Sequence, residues 1–445
     1  MDTNDIQIQL PASKSLSNRW LVLNFLHGGV YQLRGLSPSS DTQLLRQLLK
    51  RVPHRIASEQ ITDKQASFHS KVPAEVFDCG NAGSVARFLM VLLSVTEGSY
   101  VITGDERLRQ RPMAQLIEAI SSMGLHVQSI EEEGFLPVLV TGSLPRRKMA
   151  YIDPVQSSQF VSALMLAAPE LPEGMSIMLT DRPSSRPYIE MTRSILADLG
   201  IDVSLSSNGR VYYVSPRPSV MRRRAVTLEA DWSAASYFYA CVALVPALRI
   251  RMRGLSLNSY QGDRIVAEIF EQMGVVSHEV RSPYKNTSGS VAISNAGCKV
   301  KRILKFNFID CPDLFPTVAV ACAALGINAF LRGIANLHLK ESDRVLSVYN
   351  ELTKMGCRIK LTETEMHIFP SLLAPTAPVA TYNDHRIAMA FAPLMLLFPD
   401  LKIENSDVVA KSFPGFWTQF KRVKGHKSSV KSNRVSHNCL QDEKR

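Results

Sequence analysis

Leu10-Pro11-Ala12-Ser13-Lys14-Ser15-Leu16-Ser17-Asn18-Arg19 places a lysine, several hydroxyls and, one turn on, an arginine ahead of the apolar run Trp20–Leu26. Ser13 or Ser15 can cap a helix starting there, because a side-chain oxygen satisfies an orphan backbone donor. Free N–H groups and the positive end of a helix dipole attract anions. Lys14 adds a full charge, and Arg19 a planar fork suited to a carboxylate. The same residues would also make an ordinary capped helix with two solvated cations. A second chemical stretch, Asn336-Leu337-His338-Leu339-Lys340-Glu341-Ser342-Asp343-Arg344, packs two cations and two acids into its last five residues. Asp105-Glu106-Arg107-Leu108-Arg109-Gln110-Arg111-Pro112, Asp181–Tyr188 and Ala410-Lys411-Ser412-Phe413-Pro414 are similar charged loops, with Pro112 at a plausible first helical position.

The elements that must hold these groups repeat along the chain. Four helical patterns end in a glycine before a strand: Met123-Gly124, Leu199-Gly200, Met273-Gly274 and Met355-Gly356, with glycines 76, 74 and 82 residues apart. Glycine takes the left-handed helix cap without penalty. Ahead of each charged loop runs a short strand, as in Tyr31–Leu36, Val101–Asp105, Ile177–Asp181, Arg251–Leu255, Phe330–Ile334 and Lys402–Asn405. That makes six copies of one unit over roughly 420 residues.

Each copy carries a second, more apolar helix that opens on a polar cluster. The clusters are Ser13-Lys14-Ser15, Gly80–Ser84, Gln156-Ser157-Ser158-Gln159, Asp231-Trp232-Ser233, Asp310–Asp313 and Tyr382–Arg386. The helices that follow, Val85–Val95, Phe160–Ala168, Ala234–Leu244, Phe315–Leu325 and Ile387–Leu397, are apolar nearly all round and belong in a large core. Alternating strands and helices argue α/β or α+β layers, and six copies suggest two domains of three. If the polar openings converge, their dipoles make one anion-attracting cleft.

The 445 residues, 45% hydrophobic and 20% charged, describe a soluble globular chain with ample core. Met1–Asp5 has no basic or apolar leader, and apolar runs such as Val318–Leu325 are too short for a membrane span. Seven cysteines without CxxC spacing argue against a zinc site or a disulfide framework and fit a reduced cytoplasm. Of the net charge of +11, the stretch from Lys421 to the end carries +6. It is rich in Ser and Asn and reads as a disordered basic tail over 422–445, so most of the basic excess is not a designed groove. Arg222-Arg223-Arg224 fits no repeat slot and reads as surface. His54, His69 and His278 read as ordinary, and Cys79 as a buried small hydrophobe.

Pro11–Arg19, Gly80-Asn81-Ala82-Gly83, Arg109–Pro112, Ser157–Phe160, Ser185-Arg186-Pro187-Tyr188, Asn258–Asp263, Pro312-Asp313, Lys340–Arg344, Asn383–Arg386 and Lys411–Pro414 together resemble the enolpyruvyl transferases, and within them the EPSP synthase family. Ten motifs run in register from residue 10 to about 420. Ala12, Ser84 and Phe88 stand where members usually have Gly, Thr and often Pro. The resemblance implies an α/β fold of α+β layers: two globular domains of three βαβαββ units each, buried helices with sheets outside. Its double crossover would fall near Pro11–Ala12 and near Glu229, giving one domain from 1–11 plus 229–421 and another from 12–228.

The resemblance further implies transfer of the enolpyruvyl group of phosphoenolpyruvate to the 5-hydroxyl of shikimate 3-phosphate, in the shikimate pathway to chorismate and the aromatic amino acids. No metal or organic cofactor is expected. The expected partners are these two small molecules, with no nucleic acid and no membrane, for a cytoplasmic monomer. Shikimate 3-phosphate would meet Ser157, Ser158 and Ser185 through its phosphate and Arg19 through its carboxylate. Lys14, Ser15, Gln159, Asp313, Asn336 and Lys340 would assist. Phosphoenolpyruvate would meet Lys14, Gly83, Arg111, Gln159, Arg344, Arg386 and Lys411. Asp313 would be the general base on the attacking hydroxyl. Glu341, with Lys14 as rival, would protonate the methylene carbon and later remove that proton.

Two other readings compete. The related transferase acting on UDP-N-acetylglucosamine typically has a cysteine near the Arg111 region, and none occurs from Thr103 to Ser122. An RNA-associated protein would call for an aromatic-rich RNA-binding signature, which the chain lacks.

Overall fold

The computed structural model describes residues 5–60, 74–280, 289–295, 297 and 300–429. His69 and most of the expected basic tail lie outside them.

Among the described residues, four four-stranded sheets share one topology. In each, a first strand lies parallel to a second, the second antiparallel to a fourth, and the fourth antiparallel to a third at the edge. One sheet runs Glu75–Asp78, Gly98–Thr103, Val138–Gly142, His126–Ser129; another runs Met149–Ile152, Met175–Leu179, Val211–Val214, Val203–Leu205. A third runs Ile303–Asn307, Asn328–Arg332, Glu365–Ile368, Ile359–Leu361. Parallel neighbours need a crossover, supplied by the buried helices Gly83–Ser94, Ser158–Ala167 and Phe315–Ala324. The second helices of these units, Ala114–Ser122, Arg186–Asp198 and Arg344–Lys354, reach the glycines at 124, 200 and 356, where φ is +78°, +76° and +89°.

The fourth sheet borrows its first strand. Ile6–Gln9 pairs in parallel with Arg249–Arg253, Ile6 opposite Ile250, followed by Ser290–Asn295 and Val275–Val280. Conversely, Arg224–Thr227 pairs in parallel with Tyr31–Arg34. The two connections pass side by side: Ser13 N–H donates to Glu229 C=O at 2.8 Å, and Asp231 N–H to Pro11 C=O at 2.9 Å. Two buried apolar clusters follow this exchange. One gathers Ile6–Leu10 with residues from Ala230 to Val423, the other residues from Leu16 to Leu228.

Six buried helices line these cores: Lys14–Leu26, Gly83–Ser94, Ser158–Ala167, Trp232–Leu244, Phe315–Ala324 and His385–Phe391. Every residue of Trp232–Leu244 is buried, and each large apolar side chain so placed contributes ~1.5–3 kcal/mol. Ser13, Ser157, Asp231 and Asp384 cap four of them through their side-chain oxygens, so Ser13 rather than Ser15 caps the first.

Several expectations need correcting. The first and sixth copies are shorter than a full unit among the described residues: Tyr31–Arg34 has only Arg224–Thr227 beside it. Lys402–Asn405 makes no strand, only a parallel bridge between Val379 and Ile403, because Asn405 turns left-handed (φ +42°) into a 3-10 helix at Ser406–Lys411. Pro112 does not open its helix, which starts at Ala114: Met113 between them has non-helical backbone angles (φ −124°, ψ −2°), its N–H resting on Gly134 C=O at 2.8 Å. The last buried helix tightens to 3-10 geometry over Ala392–Leu396, where Pro393 lacks a donor. The tail does not begin at 422: a helix runs Phe416–Ser429, and Val423 packs in the core. Arg222, Arg223 and Arg224 are exposed as expected, and no described helix is long and apolar enough to cross a membrane.

Candidate active site

All six buried helices begin at one cleft of about 1220 Å³, part of it open to solvent. Its walls include Ser13-Lys14-Ser15, Gly83-Ser84, Ser157-Ser158-Gln159, Asp231 with Ser233, Pro312-Asp313 and Arg386, one group from each helix start. Lys340, Glu341, Arg344, Arg111 and Ser185 come to the same cleft from the charged loops. Six dipole ends and several cations thus act on one space.

Arg344 is almost wholly buried and offers its three nitrogens to three carboxylates: Nε to Asp384 Oδ2 at 2.8 Å, Nη1 to Asp313 Oδ1 at 2.7 Å and Nη2 to Glu341 Oε2 at 2.6 Å. Asp313 also accepts from Arg386 Nη2 at 2.6 Å and from the Tyr188 hydroxyl at 3.2 Å. Burial works to raise the Asp313 pKa, but Arg386, Arg344 and Lys340 overcome it and hold the carboxyl down to about 2. Glu341 is likewise pulled well below the usual carboxylate range, against burial, by Arg344, Lys411, Arg111 and Lys14.

Lys14 Nζ lies 2.9 Å from Asp41 Oδ2, on the helix Ser40–Leu49. Burial pulls its ammonium down, yet Asp41 and Glu341 raise it above its ordinary value, so Lys14 stays charged. Lys340 goes the other way: burial, with Arg344 and Arg111 adding to it, lowers its pKa to about 8 despite Asp313.

Two further cleft guanidiniums, Arg19 and Arg111, make no ion pair among the described residues. Arg19 spends its nitrogens on neutral oxygens: Thr192 Oγ1 at 2.7 Å, Ser15 C=O at 2.9 Å, and Ser162 Oγ and Tyr188 C=O at 3.0 Å. Burial brings its pKa down to about 10. Arg111 is buried, its Nε has no hydrogen-bond partner, and burial lowers its pKa as well. A buried cation without a counter-ion is costly unless something else supplies the charge. An anionic ligand would.

Of the expected site residues, Lys14, Ser15, Arg19, Gly83, Arg111, Ser157, Ser158, Gln159, Ser185, Asp313, Lys340, Glu341, Arg344 and Arg386 line the cleft. Lys411 stands at its rim, where Nζ donates to Asn81 C=O and Oδ1 at 3.1 Å and lies 4.0 Å from Glu341. Asn336 is outside it: its side-chain amide donates to Val155 C=O at 2.9 Å, beside a smaller chamber.

Sequence reasoning missed four groups. Asp41 holds Lys14, and Tyr188 reaches Asp313. Arg87 is buried, donates to Gln159 Oε1 at 2.6 Å and lies over the Phe160 ring. Asp263 is buried in the cleft wall with Oδ2 accepting from Ser233 and Oδ1 unpartnered; burial, with Asp313 beside it, pushes its carboxyl up to about 7. The signal for Asp263 was present, since it closes the quoted motif Asn258–Asp263.

Comparison with known proteins gives one answer. The family described as EPSP synthase (3-phosphoshikimate 1-carboxyvinyltransferase) matches residues 4–420. The 3-phosphoshikimate 1-carboxyvinyltransferase of Bacteroides fragilis (strain YCH46) is 35% identical over 419 residues, covering 94% of each chain. That of Methanospirillum hungatei is 31% identical over 417 residues, covering 93% of this chain and 94% of the relative. Among solved structures, EPSP synthase from Acinetobacter baumannii superimposes with a TM-score of 0.69 at 23% identity, covering 94% of this chain and 95% of that one. The enolpyruvyl transferase NikO from Streptomyces tendae gives 0.65 at 14% identity, covering 95% of each chain, and shares the fold alone. With its repeats, its cleft and a family match reaching from residue 4 to residue 420, this chain belongs to the EPSP synthase family.

Proposed function

We propose that the protein transfers the enolpyruvyl group of phosphoenolpyruvate to the 5-hydroxyl of shikimate 3-phosphate, releasing phosphate, in the route to aromatic amino acids. One observation carries this reading: six helix starts meet in a single cleft where Arg19 and Arg111 are buried with no carboxylate in ion-pair range among the described residues. Two polyanionic substrates supply what these cations lack. The two apolar cores are read as two domains that close on the substrates, 1–11 with 229–429 and 12–228.

In this reading the phosphate of shikimate 3-phosphate takes Ser157, Ser158 and Ser185, and its carboxylate takes Arg19. Phosphoenolpyruvate takes Lys14, the backbone near Gly83, Arg111, Gln159, Arg344, Arg386 and Lys411. The hydroxyl attacks C2 of phosphoenolpyruvate while Asp313 accepts its proton; Glu341, with Lys14 as rival, delivers a proton to C3. The same acid then removes a proton from the new methyl group as phosphate departs. Positioning two reactants so can lower a barrier by about 7–11 kcal/mol.

The resting charges suit this sequence. A carboxylate at about 2 is a poor base, and Glu341, held below its usual range, rests without a proton to give. Both are held there by Arg344, which contacts each of them. An incoming carboxylate or phosphate that draws Arg344 and Arg386 away raises both pKa values toward useful ones. Substrate binding thereby arms the acid and the base.

The test is phosphate release. It is expected with phosphoenolpyruvate plus shikimate 3-phosphate and absent with phosphoenolpyruvate plus UDP-N-acetylglucosamine.

A further inference from the structure

The loop that carries Lys340 and Glu341 belongs to the core of residues 230–423, yet it is fastened to the other half at two points. At its start, the Asn336 side-chain amide donates to Val155 C=O at 2.9 Å. At its end, the Arg107 guanidinium reaches across the cleft mouth: Nη2 donates to Lys340 C=O at 2.9 Å and to His338 C=O at 3.4 Å, and Nε to Lys340 C=O at 3.2 Å. Arg107 sits on the one-turn helix Glu106–Arg109, four residues before Arg111. That helix is capped by Asp105, whose own N–H donates to Gly80 C=O at 3.0 Å. Gly104 could carry no side chain here, since a Cβ would stand 2.6 Å from the same Gly80 carbonyl. Arg107 is therefore braced against the Gly80–Gly83 loop and grips the carbonyl immediately before Glu341.

We propose that Arg107 is a positioning residue that couples closure of the cleft to the placement of Glu341 and Lys340. It is not among the residues that line the cleft. Its fork binds backbone carbonyls, so it reads the path of the opposing loop rather than any side chain, and a planar guanidinium does this with two nitrogens at once. When the halves part, those bonds are lost and the acid moves away from Arg111 and Lys14. When they close, the bonds fix Glu341 within the cation cluster. A misplacement of about 1 Å at such a group can cost 10²-fold in rate. This role rests on the enolpyruvyl-transfer reading.

The experiment compares Arg107→Ala and Arg107→Lys with the parent for kcat, both KM values, thermal midpoint, and radius of gyration by solution scattering with and without shikimate 3-phosphate. Arg107→Ala is expected to lower kcat about 10- to 100-fold with KM for shikimate 3-phosphate within about threefold and little change in the thermal midpoint. Its scattering should show less compaction on binding, and Arg107→Lys, still able to donate, should recover most of both. An unchanged kcat in Arg107→Ala, or a loss that follows the thermal midpoint and is not recovered by lysine, overturns the proposal. Should the parent release no phosphate, the enolpyruvyl reading fails by itself. Scattering of the proteins without ligand then decides: a more expanded Arg107→Ala supports the latch, and equal radii overturn it.

Discussion

Arg111 lies flat against the bare α-carbon of Gly83: a Cβ built on Gly83 would stand 2.6 Å from Nη1 and 3.0 Å from Cζ of that arginine. Gly83 begins a buried helix, and its φ is not in the left-handed region, so the backbone would accept alanine. What alanine takes is the place of the guanidinium. Gly83→Ala should leave the thermal midpoint within a few degrees, because the displaced atoms end a flexible side chain. It should raise KM for phosphoenolpyruvate about tenfold or more, the cost of disturbing one charged hydrogen-bonding group. Initial-rate kinetics over both substrates check this, and an unchanged KM would mean that Arg111 does not meet phosphoenolpyruvate where Gly83 sets it.

Asp313 is bound by Arg344, Arg386 and Tyr188, so removing its carboxylate frees one nitrogen of each arginine for an anion, Arg344 staying paired with Asp384 and Glu341. Asp313→Ala is expected to keep substrate affinity and to lose kcat by about 10²–10⁴, the usual reach of one positioned acid or base. Calorimetric binding alongside turnover separates the two. Near-normal turnover would remove Asp313 as the base.

Lys340 is a cleft cation whose charge changes in an accessible range, since burial brings it to about 8. As pH rises through that value the free enzyme loses a positive charge facing shikimate 3-phosphate. The profile of kcat/KM for that substrate should fall on an alkaline limb near 8, because kcat/KM reports the free enzyme. Lys340→Arg should move the limb upward. A limb that stays near 8 in Lys340→Arg would assign it to another group.

The polar helix starts and the glycine helix ends were legible because both are local: a cap or a left-handed glycine follows from a few neighbouring residues. Gly124, Gly200, Gly274 and Gly356 all take positive φ. The failures were set by distant partners. Pro112 lies ahead of its helix because Met113 leaves helical geometry with its N–H on the distant Gly134 carbonyl, and Val423 packs into a core that joins residues 230–423 to Ile6–Leu10 from the other end of the chain. The exchange of Ile6–Gln9 and Arg224–Thr227 between units came only from the family resemblance, since pairings such as Ile6 with Ile250 and Tyr31 with Arg224 leave no local mark. Asp41 and Arg87 were missed for the same reason: each looks ordinary in sequence and becomes part of the site through residues 27 and 72 positions away, whereas Asp263 closed a motif already quoted.

The central claim is that the cleft joins phosphoenolpyruvate to shikimate 3-phosphate. The most direct measurement is inorganic phosphate released by the purified protein from that pair, with phosphoenolpyruvate plus UDP-N-acetylglucosamine as the control. Sustained release with the first pair and none with the second is the predicted result; silence with shikimate 3-phosphate, or release with the nucleotide sugar, would contradict it.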